Sequence, residues 1–197
     1  LMKFWHLATL EDELLTGDLT SDDKYIQSKT QRMIATVTDN IEHFRLSLAL
    51  GNIIEFATTL GRYHDKGAHK AVFNTAVDIL LRVINPFTPH IASELWEMRG
   101  YACFIDQTDW PVVDESLIDE ASEAAMDLQE NLAADIRTVM QLVKVEKPKS
   151  IKLILAPQWK YEFIAELKSL IETTRNPGDI IKAIMGQDKF KQYGKDL

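Results

Sequence analysis

The sequence predicts a mainly α-helical fold: a bundle of amphipathic helices over residues 1–146, then a small α/β appendage over 147–197. Three observations carry this expectation. Apolar residues recur at helical spacing through most of the first 143 positions, the prolines fall at the ends of those runs, and the one alternating apolar stretch follows the break Glu146-Lys147-Pro148-Lys149.

The first helix is expected over about 2–15, ending before Thr16-Gly17-Asp18. A long second helix begins near Ser21, which can cap it, and Asp22 and Asp23 suit the positive end of its dipole. Met33, Ile34, Val37, Ile41 and Phe44 form its apolar stripe. The third, over about 48–63, turns Ile53, Ile54, Ala57 and Leu60 inward, and Gly67 marks the loop after it. The fourth, over about 70–84, is apolar nearly all round, as a central bundle helix must be. Pro86 cannot continue it, and Asn85 is biased out of the α region by the proline that follows. Thr88 can cap the fifth helix, about 89–99, through its hydroxyl, with Pro89 at the first helical position, where an N–H would have no partner. Ile91, Ala92, Leu95 and Trp96 give this helix a buried face.

A long helix over about 119–143 carries Ala125, Leu128, Leu132, Ile136, Val139, Met140 and Val143 as its stripe. Beyond the break, Ile151, Leu153 and Leu155 alternate as one short strand. A helix over about 159–174 turns Ile164, Leu167, Leu170 and Ile171 inward, Asn176-Pro177-Gly178 make a turn, and Ile180, Ile181, Ile184 and Met185 begin a last helix that Gly186 ends. A lone strand cannot satisfy its own edges, so the rest of its sheet is expected beyond Leu197. Leu1 in place of methionine, followed by the already helical Lys3-Phe4-Trp5-His6-Leu7, marks the chain as a piece of something larger.

A chain of 197 residues suffices for one helical domain and an appendage, burying roughly 70% of its unfolded surface. No apolar run approaches the ~20 residues of a membrane span, since 77–84 is interrupted by Asp78 and Arg82. No secretion signal is visible, and with Cys103 as the only cysteine the chain fits a reducing compartment. The 22 basic and 30 acidic residues give −8, opposite to a whole-domain footprint for RNA. The charge is uneven: +4 from Lys144 onward and −12 before it. Residues 106–135 hold ten acidic side chains and no basic one, a stretch expected to face solvent or a basic partner, away from phosphate.

As geometry, Pro86-Phe87-Thr88-Pro89-His90-Ile91-Ala92-Ser93-Glu94-Leu95-Trp96 is a structural joint between two helices. As residues, this run, followed by Trp110-Pro111 and Asp114-Glu115-Ser116-Leu117-Ile118-Asp119, resembles the helical tRNA-binding domain of class I aminoacyl-tRNA synthetases. The subgroup is that for leucine, isoleucine, valine and methionine. Phe44-Arg45, Asn52-Ile53-Ile54-Glu55-Phe56 and Arg62-Tyr63-His64 match the same family upstream. Downstream, Asp135-Ile136-Arg137 and Ser150-Ile151-Lys152-Leu153-Ile154-Leu155-Ala156-Pro157-Gln158-Trp159-Lys160 resemble the archaeal and eukaryotic leucyl type. The resemblance is strongest over 22–119. It implies a class I anticodon-binding-domain bundle within an enzyme that joins leucine to tRNA(Leu) with ATP and magnesium in the cytoplasm. It also implies that the anticodon is largely ignored while the extension after the bundle reads the long variable arm. The implied partners are tRNA(Leu) and the remaining domains of the same synthetase, with no membrane and no DNA.

No catalytic constellation is visible. The family's His-Ile-Gly-His and Lys-Met-Ser-Lys-Ser motifs do not occur, Pro89-His90-Ile91-Ala92 is not the former, and Gly194-Lys195 lacks the upstream glycine of a phosphate loop. The chain is therefore expected to hold no cofactor of its own and to be inactive alone. His64 and His69 flank Asp65 without metal-ligand spacing and read as exposed loop histidines. His90 reads as structural, and Cys103 as a small packed apolar residue. The candidates for RNA contact are basic: Arg32, Arg45, Arg62 and Lys66 in the bundle, and Lys147, Lys149, Lys152 and Lys160 in the linker and tail. Trp159 can stack on an exposed base, although a tryptophan opening an amphipathic helix is ordinarily core. The expected function is tRNA positioning for leucine aminoacylation. The same domain of an isoleucyl or valyl enzyme, or an acidic helical adaptor for a basic protein, are the alternatives.

Overall fold

The computed structural model describes residues 2–10, 14–174, 176–187 and 190. Among these the periodic runs become helices α1 (Met2–Ala8), α2 (Ser21–Glu42), α3 (Leu46–Asp65), α4 (Lys70–Ile84), α5 (Pro89–Met98), α6 (Glu120–Leu142), α7 (Gln158–Thr173) and α8 (Pro177–Met185). The fold is mainly α, in two compact units, residues 1–142 and 143–197. Gly194-Lys195, and residues 11–13 of the expected first helix, lie outside the described residues. Among the described residues no helix is long and apolar enough to cross a membrane.

In the first unit, α2 and α3 form a long hairpin and α4 packs against both, burying Val72, Phe73, Ala76, Val77, Leu80 and Leu81. Each of these side chains larger than alanine contributes about 1.5–3 kcal/mol by leaving water. α1 closes one end against α3, α4 and α5 through Phe4 and Leu7.

α1 ends at Ala8, well short of the expected Leu15. Leu15 serves another purpose: its N–H donates to the Ala68 carbonyl at 2.9 Å and its carbonyl accepts from the Lys70 N–H at 2.7 Å, satisfying backbone groups ahead of α4. Gly67, at φ +92°, permits the approach, since a Cβ there would lie 3.3 Å from the Leu15 side chain.

Two caps differ from expectation. Thr20, not Ser21, caps α2: its hydroxyl accepts from the Asp23 N–H, while Asp23 accepts from the Thr20 N–H at 2.7 Å, a capping box. At α5, Thr88 holds the cap position without a side-chain hydrogen bond, and Pro89 alone starts the helix. Thr20→Ala should therefore lower the unfolding free energy by about 1–2 kcal/mol and Thr88→Ala by less than about 0.5 kcal/mol, compared by urea denaturation.

α6 departs most from its sequence pattern. Its buried residue is Ser122, Met126 packs partly against the core, and Leu128 and Val139 of the expected inward stripe are exposed. Polar contacts position it instead.

In the second unit α7 packs against α8, Ile184 is buried, and Phe163 of α7 packs edge to face on Phe190, 5.7 Å between ring centroids. Asn176-Pro177-Gly178 is a capped helix start rather than a free turn, because Asn176 Oδ1 accepts from the Gly178 N–H at 3.0 Å. The expected strand at 151–155 does not form: Ile151, Leu153, Ile154 and Leu155 are exposed without regular structure. The described residues contain no second strand to take up its N–H and C=O groups, and an unpaired strand has no stability of its own.

Candidate nucleic-acid interface

The α2–α3 hairpin presents a polar flank to α6. At its root, the Asp119 N–H donates to Ser28 Oγ at 3.0 Å, and Ser28 Oγ donates to Glu123 Oε1 at 2.6 Å. Arg32 Nε donates to the same carboxylate at 3.2 Å and its Nη2 lies 3.7 Å from Glu120. Burial pushes the Glu123 carboxyl up, but the hydrogen bonds from Ser28 and Arg32 and the Arg32 charge outweigh it and hold the pKa below the ordinary value. Farther along, Arg62 Nη1 lies 3.6 Å from Glu130.

Two open clefts flank this seam. One, of 510 Å³, is lined by Asp22, Tyr25, Arg62, Lys66, Asn131 and Arg137; the other, of 380 Å³, by Lys29, Arg32, Asn52, Glu55 and Asp127. They share Tyr25, Thr59, Arg62 and Glu130. Lys29 Nζ stands 5.6 Å from the Tyr25 ring centroid. Burial, then the charges of Glu130 and Asp127, push the Tyr25 phenol up to about 12, so at neutral pH it is an uncharged donor.

All four bundle candidates thus have acidic partners: Arg32 and Arg62 on α6, Lys66 on Asp22 at 3.5 Å, and Arg45 in a close pair with Asp39. The structure brings Arg62 and Lys66 into one cleft and Arg62 and Arg32 into the other, and sets Arg45 apart at the α2–α3 turn. Part of the acidic stretch therefore faces the chain's own arginines, contrary to the expectation that it faces solvent or a separate partner. Exposed ion pairs are weak, and a phosphate oxygen can replace a carboxylate on an arginine fork.

Lys29 and Arg137 are not among the RNA-contact candidates that the sequence offered. Lys29 lies four residues after Tyr25 and three before Arg32, so one face of α2 carries all three, a spacing that could have found it. Arg137 stands close after the acidic run, and only the tertiary fold shows that α6 turns it toward Lys66. In the second unit, Lys147, Lys149 and Lys152 are exposed in a segment without regular structure, and Lys160 Nζ lies 5.4 Å from the half-buried Trp159 ring.

Three other expectations change. His64 belongs to the last turn of α3 and packs against Phe73, 5.2 Å between centroids, rather than lying exposed in a loop. His69 is the residue ahead of α4, with Nε2 3.2 Å from the Gly17 carbonyl. Cys103 is exposed rather than packed, while its carbonyl accepts from Trp96 Nε1 at 3.0 Å. Among the described residues, no three His, Cys, Asp or Glu side chains gather as metal ligands.

Comparison with known proteins agrees with this architecture. Residues 23–156 match the family described as the anticodon-binding domain of tRNA ligase. Over its full length the chain is 30% identical to a leucine–tRNA ligase of Methanococcus maripaludis, of which it spans 21%. It is 30% identical over 91% of its length to 19% of the Methanococcoides burtonii enzyme, and 25% identical over 96% to 21% of that of Halobacterium salinarum. Among solved structures, the ternary complex of Agrobacterium radiobacter K84 agnB2 LeuRS with tRNA and LeuAMS matches 60% of this chain and 15% of that one, with a TM-score of 0.50 and 26% identity. The chain thus spans about a fifth of the curated relatives it matches, and the matched fifth includes the bundle whose helices carry the corner at Pro86–Pro89. On that evidence this chain belongs to the family of tRNA ligase anticodon-binding domains.

Proposed function

We propose that this chain is the tRNA-binding portion of a leucine–tRNA ligase, which positions tRNA(Leu) for ATP-dependent joining to leucine by a catalytic domain that the chain does not contain. One observation carries the reading: the similarity to archaeal leucine–tRNA ligases runs through the whole chain, beyond the generic bundle and into the second unit. Those relatives are leucine ligases, which favours leucine over isoleucine or valine. The use of ATP and magnesium and a cytoplasmic location belong to the same proposal. Arg32, Arg45, Arg62 and Lys66 in the bundle would meet phosphates by exchanging carboxylate partners, Lys29 and Arg137 would join them, and Lys147, Lys149, Lys152 and Lys160 in the second unit would make contacts of their own.

Phosphate must displace carboxylates from the paired bundle cations, which release few net counterions, so the exposed Lys147, Lys149, Lys152 and Lys160 set the salt dependence. With about four phosphates neutralised, affinity for a leucine tRNA transcript should fall roughly a hundredfold between 50 and 200 mM salt. Filter binding against salt, with an unrelated structured RNA as control, checks this. A preference for tRNA at low salt supports the proposal; equal, weak binding of both RNAs at every salt would identify an acidic protein adaptor instead.

A further inference from the structure

We infer that Phe44, at the turn between α2 and α3, is a stacking platform for an unpaired RNA base; the inference rests on the tRNA-binding reading above.

The turn is built to display this ring. α2 ends with Arg45 N–H donating to the Asn40 carbonyl at 2.7 Å and Phe44 N–H to the Ile41 carbonyl at 3.0 Å, the paired bonds of a Schellman motif. That motif places Phe44 at the position where the backbone must be left-handed, and its φ is +54°. Glycine occupies such positions because a Cβ there meets the carbonyl oxygen. Phenylalanine meets that strain and recovers nothing by packing, since its side chain belongs to no cluster and the residue is 88% exposed. Neither local geometry nor the core explains a large aromatic side chain here.

Its neighbours supply the rest of a base-binding tip. Asp39 pairs with His43, whose Nδ1 is 3.1 Å from Oδ1, and with Arg45, so the residues on either side of Phe44 in the chain carry a braced imidazole and a braced guanidinium. An aromatic face flanked by hydrogen-bond donors is how proteins hold splayed-out bases, and stacking tolerates any base because each has a π-face. With Asp39 and Glu42 in the same turn, net positive charge is not the attraction; the ring is.

Phe44→Gly separates this role from a structural one. It should raise the thermal midpoint by about 2–4 °C, by relieving the left-handed strain, and weaken binding of a leucine tRNA transcript roughly tenfold. The salt slope should stay unchanged. Phe44→Trp, which keeps a π-face, should bind within about twofold of the unaltered chain, and a blunt RNA duplex should not distinguish the three proteins. Unchanged transcript affinity in Phe44→Gly overturns the inference while leaving the tRNA reading intact, and would assign the ring to a protein contact. A lower midpoint overturns it too, by showing that the ring holds the fold. An unaltered chain that binds no tRNA overturns both readings.

Discussion

Asp23→Ala should lower the unfolding free energy of the first unit by about 3 kcal/mol, with α2, α3 and the entry to α4 loosening together. The carboxylate is 3% exposed and accepts from three donors on two elements: the Tyr63 hydroxyl in a short bond, the Thr20 N–H at 2.7 Å and the Thr20 hydroxyl at 2.8 Å. Tyr63 in turn accepts the His69 N–H at 2.9 Å. Truncation leaves a buried phenol without its acceptor and removes one half of the capping box. Burial alone would push the Asp23 pKa up, but the bonds from Tyr63 and Thr20, with a contribution from His69, outweigh it and depress the pKa.

A depressed carboxylate pKa sets the sign of the pH dependence. The contribution is fully present above the unfolded value near 4 and is lost as pH falls through the lower folded value. Urea unfolding at pH 7 and pH 3 checks both points. The gap between the unaltered chain and Asp23→Ala should be largest at pH 7 and narrow at pH 3; a gap that widens on acidification would contradict the assignment.

How much of this was legible in the sequence depended on whether the signal was local. α4 was readable to the residue, because a run that is apolar nearly all round, bounded by Gly67 and Pro86, admits one helix and one central place for it. α6 was readable as a helix and misleading as a packing element: periodicity reports a face, not what covers it, and Leu128 and Val139 stay exposed while Ser122 and Glu123 hold the helix to α2. The strand at 151–155 failed for the same reason, since alternation without a partner strand is only a pattern. The capping box was within reach, because Thr20 and Asp23 have the required spacing, and Ser21 merely competed for the same role. Most of the cationic side chains were found one by one, Lys29 and Arg137 being the exceptions, but their acidic partners were not. Arg32 with Glu123, and Arg62 with Glu130, meet across 91 and 68 positions, and no local rule anticipates such pairs.

Trp96→Ala should be more damaging still, at about 4 kcal/mol, and its consequences define what the Pro86–Trp96 corner does. The indole is 6% exposed, stacks on Tyr101 with centroids 4.0 Å apart, and donates Nε1 to the Cys103 carbonyl at 3.0 Å. Tyr101 donates to Asp78 in a short bond, and Asp78 also accepts Arg99 Nε at 2.8 Å, a half-buried pair that ties the end of α5 back to α4. Removing the indole opens a cavity and deprives Tyr101 of the surface that aligns it with Asp78, so the loss should exceed that of an isolated ring. Trp96→Phe keeps most of the packing without the Nε1 donor, and should cost about 1–2 kcal/mol. The corner residues on which the resemblance rests then fix the angle between α4 and α5 and are not among the proposed RNA contacts. Equilibrium unfolding measures the stability terms, and tRNA binding by Trp96→Phe, well below its unfolding transition, tests the separation: affinity should match the unaltered chain, whereas a selective loss in a fully folded protein would move the corner from scaffold to interface.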